Sequence, residues 1–134
     1  MKKGVVALLA LALGVIAFAV PALAHHSFSA EFDASKPATM QGYVTKIEWT
    51  NPHVWFYIDV KKPDGKVETW GWEMGPPHGL QGRGWTRTTM KLGDEVKVDG
   101  TLAKNGSNRG NARSVTMVST GKKLGAASSE GETP

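Results

Sequence analysis

A small, mainly β domain is predicted by three observations. Apolar residues alternate at Val54, Phe56, Ile58 and Val60, with His53, Trp55, Tyr57 and Asp59 on the other parity. This is the period of a strand with one buried face. Pro63-Asp64-Gly65 follows at once, with proline presetting one dihedral and glycine taking the positive one, so Lys66 to Met74 should return antiparallel. Gly75-Pro76-Pro77 then opens a short segment with a proline start and a glycine stop, the signature of a helical turn.

The remaining elements fit around these. Thr39 to Trp49 is rich in β-branched and aromatic residues and reads as the first strand, ended by Asn51-Pro52 because proline cannot continue a ladder. The helical turn covers His78 to Gly84. Leu92-Gly93-Asp94-Glu95 is a turn feeding Val96, Val98 and Leu102, and Asn105-Gly106 turns the chain into a last strand over Ala112 to Val118. Three strands, a short helix and two strands is the element order of a small five-stranded OB-like Greek-key barrel. A small open sandwich of the same strands has the same local pattern, because strand order in space is not written in periodicity.

The amino-terminal segment reads differently. Lys2 and Lys3 precede an uninterrupted apolar run from Val5 to Val20, and Ala22-Leu23-Ala24 supplies the small residues of a signal-peptidase site. The run is shorter than the roughly 20 residues that cross a bilayer, and Pro21 breaks it. The expectation is a secretory signal peptide over residues 1–24, a single domain over 25–118 and a disordered Gly-, Ser- and Ala-rich tail over 119–134, in a periplasmic or secreted protein. The chain contains no cysteine, which excludes a disulfide framework and lipid attachment through a thiol, so no stable membrane anchor is expected after cleavage. Cleavage removes two lysines and no acid, lowering the formal charge from +4 to +2. So small a charge does not make the basic stripe that nucleic-acid binding needs.

Four histidines are candidate metal ligands: His25 and His26 at the expected new terminus, His53 opening the second strand, and His78 at the start of the helical turn. An amino-terminal histidine chelates through its α-amine and Nδ1, and a second imidazole completes a three-nitrogen tetragonal set that suits copper. The plain alternative is that His25 and His26 are tolerated at a loose end, His53 bonds to its turn, and His78 lies on a helix surface. Aromatic residues form a second constellation: Trp55, Tyr57, Trp72 and Trp85 are candidates for a ligand-binding face, flanked by Arg83, Arg87, Arg109 or Arg113, that would hold an envelope protein, a sugar or a small-molecule ligand. Their alternative role is packing, either at the end of the barrel or under the helix.

The sequence carries no glycine fingerprint for nucleotides and no spacing of Ser, His and acid that points to a nucleophile. The expectation is a binding protein rather than an enzyme, although the same copper set with an open position would also serve an oxidase.

Ala24-His25-His26-Ser27-Phe28, Gly42 before Val44 and Trp49, Asn51-Pro52-His53-Val54-Trp55, Gly84-Trp85-Thr86, Gly93-Asp94-Glu95-Val96, and Asn108 with Ala112 and Arg113 make a distinctive combination. On these residues the chain resembles the bacterial secreted proteins of domain of unknown function family 6152. The resemblance implies export and a small β domain. It supplies no activity, ligand or catalytic residue.

Overall fold

The computed structural model describes residues 28–128. They form six strands and two short helices: α1 (Phe28–Glu31), β1 (Phe32–Glu48), β2 (Trp55–Lys61), β3 (Val67–Glu73), α2 (Pro77–Gly82), β4 (Glu95–Ala103), β5 (Arg109–Met117) and β6 (Lys123–Gly125). The strands lie in one sheet in the order β3-β2-β1-β4-β5-β6, and β3 also pairs with β5, so the hydrogen bonds run round in a ring. All ladders are antiparallel except β3 with β5.

The long first strand makes the ring possible. Its earlier part pairs with β4, from Phe32 opposite Ala103 to Tyr43 opposite Glu95, and its later part pairs with β2, from Tyr43 opposite Asp59 to Glu48 opposite Trp55. Where the strand passes from one partner to the other, Gly42 lets it approach β2: a Cβ there would sit 2.3 Å from the Asp59 carbonyl oxygen. Only a residue without a side chain fits that crossing.

Val54, Phe56 and Ile58 face inward with Trp72, Val96, Val98, Ala112 and Val115, all fully buried. The hairpin turn fixes this arrangement, since Lys61 opposite Val67 puts Phe56 opposite Trp72 and Ile58 opposite Trp70. Gly65 takes the positive φ of that turn, at 84°. Leu80 of α2 and Trp85 after it complete the interior cluster.

Two expectations need correction. Five strands were expected and six are present, because residues 119–128, read from composition as disordered tail, carry β6 and then the buried Ala126, Ala127 and Ser128. The segment is held by sites that its composition does not announce: Trp85 Nε1 donates to the Gly125 carbonyl at 2.8 Å, Arg83 donates to the Ala127 carbonyl, and the Ala126 amide donates to Arg113. The first strand also begins earlier than expected, at Phe32 rather than Thr39; its pairing shifts between Phe32 and Pro37, so the polar residues there break the alternation. Among the described residues no helix is long and apolar enough to cross a membrane.

Candidate functional site

Residues of the opposite parity point away from the interior cluster and build two rows across the outer side of the sheet. In the first, Glu48 of β1, Trp55 of β2, Glu73 of β3, Asn111 of β5 and Thr101 of β4 stand side by side. In the second, Lys46, Tyr57, Gly71 and Arg109 do the same. Cross-strand neighbours on one face are close enough for side chains to meet.

The centre of the first row is a carboxylate that is largely out of water. The Glu73 side chain is 10% exposed, and its Oε1 lies 3.1 Å from His53 Nδ1. Asn111 Nδ2 donates to the same oxygen at 3.5 Å. The position of His53 follows from local structure: Val54 exchanges backbone bonds with Gly75 and Met74, which brings the residue before it alongside the end of β3. A neutral imidazole that donates through Nδ1 keeps its lone pair on Nε2, and a carboxylate behind a histidine fixes the ring and raises its basicity as a ligand.

The second row is aromatic and charged. The Arg109 guanidinium lies 4.4 Å from the centre of the Trp55 ring, and the Lys46 ammonium lies 5.2 Å from that of Tyr57. Gly71 leaves room for both rings, since a Cβ there would come within 3.0 Å of Tyr57 and 3.8 Å of Trp55. The Tyr57 hydroxyl donates to Glu48 Oε2 at 3.2 Å. Burial and then the Glu48 charge push the phenol above its usual range. Lys46, 2.6 Å from Glu48, holds that carboxyl below the usual range through their hydrogen bond, and Glu48 in turn raises the lysine.

The residues singled out from sequence are divided by the fold. His53, Trp55 and Tyr57 share the outer side. Trp72 and Trp85, expected on a ligand-binding face, lie in the interior at 0% and 1% exposure: Trp72 stands opposite Phe56, and Trp85, whose amide donates to the Leu80 carbonyl and whose indole donates to the Gly125 carbonyl, joins the same cluster. So placed, they present no surface to a ligand, and both pack in the interior cluster. His78 is exposed on α2. His25 and His26 lie outside the described residues. Among the described residues no three His, Cys, Asp or Glu side chains come together as a metal-binding group.

The sequence offers Glu73 only as one of the isolated carboxylates Glu31, Asp33, Glu48 and Glu73, expected in solvent, whereas the fold buries it against His53; Asn111 is not singled out at all. A signal for Glu73 was there: the turn at Pro63-Asp64-Gly65 sets the register, and counting back from it puts Glu73 opposite Trp55 on the outer side. Nothing local marks Asn111, whose place depends on the parallel pairing of β5 with β3.

Comparisons with curated proteins and with solved structures return no match. A family model matches residues 12–113, which includes the histidine, tryptophan and carboxylate positions described above, and on that match the chain belongs to the family of unknown function DUF6152.

Proposed function

We propose that this is an exported, non-enzymatic copper-binding protein, with the metal held by the α-amine and imidazole of His25 and by Nε2 of His53. The observation that carries this reading is the bond between His53 Nδ1 and the largely buried Glu73 carboxylate. A histidine placed by its turn alone has no need of a carboxylate behind it, whereas metal-binding histidines almost always donate their second ring N–H to a fixed acceptor, of which a carboxylate is one of the common kinds. The three nitrogens make a tetragonal set at which copper stands at the top of the affinity order. On this reading residues 1–24 are removed on export, the ring of strands is an OB-like barrel, and the protein stores or hands on the metal. His26, beside the terminus, and His78, exposed on α2, are the lesser candidates for a further ligand.

The test is a titration of Cu(II) against a competing chelator with the processed, tag-free chain, its start at His25 verified by mass. One-to-one binding, much tighter than that of a His-His-Ser peptide and lost in His53→Ala, supports the site. Binding no tighter than the peptide's removes it.

A second reading is favoured by the outward position of Trp55 and Tyr57. In it the outer side of β2 and β3 docks an envelope protein, a sugar or a small ligand, as OB-like surfaces commonly do. Arg109 and Lys46 lie over the two rings, so an incoming group meets cations as well as aromatic edges. This reading needs Trp55→Ala, with the fold intact, to lose binding to envelope fractions while His53→Ala keeps it.

A further inference from the structure

A cavity of about 170 Å³ lies between α1 and the β4–β5 hairpin, and neither His53 nor Glu73 lines it. Its floor is apolar: Phe32 stands opposite Ala103, both buried, and Phe28 packs on Phe32 with ring centres 5.6 Å apart. Its walls carry both signs of charge, with Glu31 from α1 and Arg109 from the start of β5. Neither of these side chains has an ion-pair or hydrogen-bond partner among the described residues. Elsewhere on the surface acid and base do meet, Lys46 with Glu48 at 2.6 Å and Lys62 with Glu68 at 2.9 Å.

Both poles are held in place. The Arg109 guanidinium lies on the Trp55 ring, 4.4 Å from its centre, and the Arg109 amide donates to the Ser107 carbonyl at 2.8 Å. Asn105 Oδ1 accepts from the amide and hydroxyl of Ser107 at 3.0 and 2.7 Å, which fixes the end of the hairpin. The Lys104 amide donates to the Glu31 carbonyl at 2.9 Å, so the residue that bears the carboxylate is tied to the same hairpin. Lys104 also lines the cavity, but its ammonium is engaged by the Ser29 carbonyl. A guanidinium resting on a ring keeps its N–H edge open as a planar fork, which matches the two oxygens of a carboxylate.

A simple anion in this cavity is drawn to Arg109 and repelled by Glu31, and a simple cation meets the reverse. A dipolar molecule satisfies both. The volume is below the roughly 300–1,000 Å³ of a drug-sized site, which restricts the guest to a few heavy atoms. We propose that the cavity binds a free, small aliphatic α-amino acid, with its carboxylate on the Arg109 fork, its ammonium on Glu31 and its side chain on Phe32 and Ala103. A residue inside a peptide lacks both charges and does not bridge the two walls. The site goes beyond the two readings above, since it uses none of the copper ligands and does not need the outward face of Tyr57.

The experiment is a calorimetric titration of the same tag-free protein with L-valine in metal-free buffer. Saturable one-to-one binding is expected. N-acetylvaline, which lacks the ammonium, and valinamide, which lacks the carboxylate, should each bind about tenfold more weakly or worse, because each leaves one charged wall without its partner. L-tryptophan, too large for the cavity, should not compete. Glu31→Gln and Arg109→Gln should weaken valine binding by a similar factor with the circular dichroism spectrum unchanged; if Arg109→Gln fails to fold, Glu31→Gln on the exposed α1 decides alone. Absence of saturable valine binding, or full affinity in Glu31→Gln, overturns the proposal. So does equal binding of N-acetylvaline, which would make the cavity a plain anion site. Glu31→Gln should bind Cu(II) and envelope fractions as the parent does, so the loss of either earlier reading leaves this result standing, and the loss of this one leaves them.

Discussion

A Cβ on Gly110 would fall 2.4 Å from Cζ3 of Trp72. Strand β5 reaches the indole only because it carries no side chain at that point, and Gly100 on β4 flanks the same ring, with its Cβ position 2.9 Å away. Gly110→Ala should destabilise the domain by about 1–3 kcal/mol, since neither the ring nor the Thr101 carbonyl 2.9 Å away can move freely. Trp72→Ala should cost more, about 3–5 kcal/mol, by leaving a cavity. Urea denaturation monitored by circular dichroism reads both. A Gly110→Ala protein as stable as the parent would mean that the indole does not lie where the two glycines meet.

Glu73→Gln keeps the shape of the His53 partner and removes its charge. If His53 is a copper ligand, affinity should fall by about 10–100-fold while the fold survives. Chelator competition measures it. His78→Ala should leave affinity close to the parent's, and a larger loss with His78→Ala than with Glu73→Gln would move the site to α2.

Asp99 joins four strands through side chains. It accepts from Thr39 Oγ1 at 2.6 Å, from Ser114 Oγ at 3.4 Å and from Lys123 Nζ at 3.4 Å. The Thr39 bond first, and then the Lys123 bond and charge, hold its carboxyl below the usual aspartate range. A lowered folded-state pKa gives stability that is fully present above the unfolded value and is lost as pH falls through the folded one. Asp99→Asn should therefore lower the melting temperature at neutral pH, and the gap from the parent should close as the pH falls through the lowered folded-state value. A gap that persists in acid would mean that the loss is of packing rather than of the charge.

Removing residues 122–134 deletes β6 and the buried Ala126 and Ala127, and strips Trp85 Nε1 and Arg83 of their carbonyl partners. The cost should be at least about 2 kcal/mol, from lost burial and from a buried indole N–H left without an acceptor. Chemical denaturation against the full chain tests it. Equal stability would mean that the segment only rests on the surface.

What could be read from the sequence was local. Alternation at Val54 to Val60 located β2, and Pro63-Asp64-Gly65 located both its partner and the register that separates Trp55 from Trp72. Counting heads of tryptophan without using that register put all four aromatic candidates on one face, and two of them belong inside. The tail was misread for a related reason. Lys123-Leu124-Gly125 is too short and too polar to announce a strand, and it becomes one only because β5 offers an edge beside Trp85 and Arg83. The carboxylate behind His53 was legible through the hairpin, whereas Asn111 required knowing that β3 and β5 run parallel side by side.

The long β1 governs the order in which the molecule can be put together. Its later part meets β2 within a short loop, so the hairpins of β1, β2 and β3 can form early from neighbouring sequence. Its earlier part waits for β4, and the ring is completed only when Arg109 to Asn111 arrive beside Gly71 to Glu73. Contacts between distant parts of a chain are slow to form because the intervening loop must first be ordered. A chain threaded through a membrane from its amino end would thus emerge with an open half-sheet, and would close it only after the last strands had crossed.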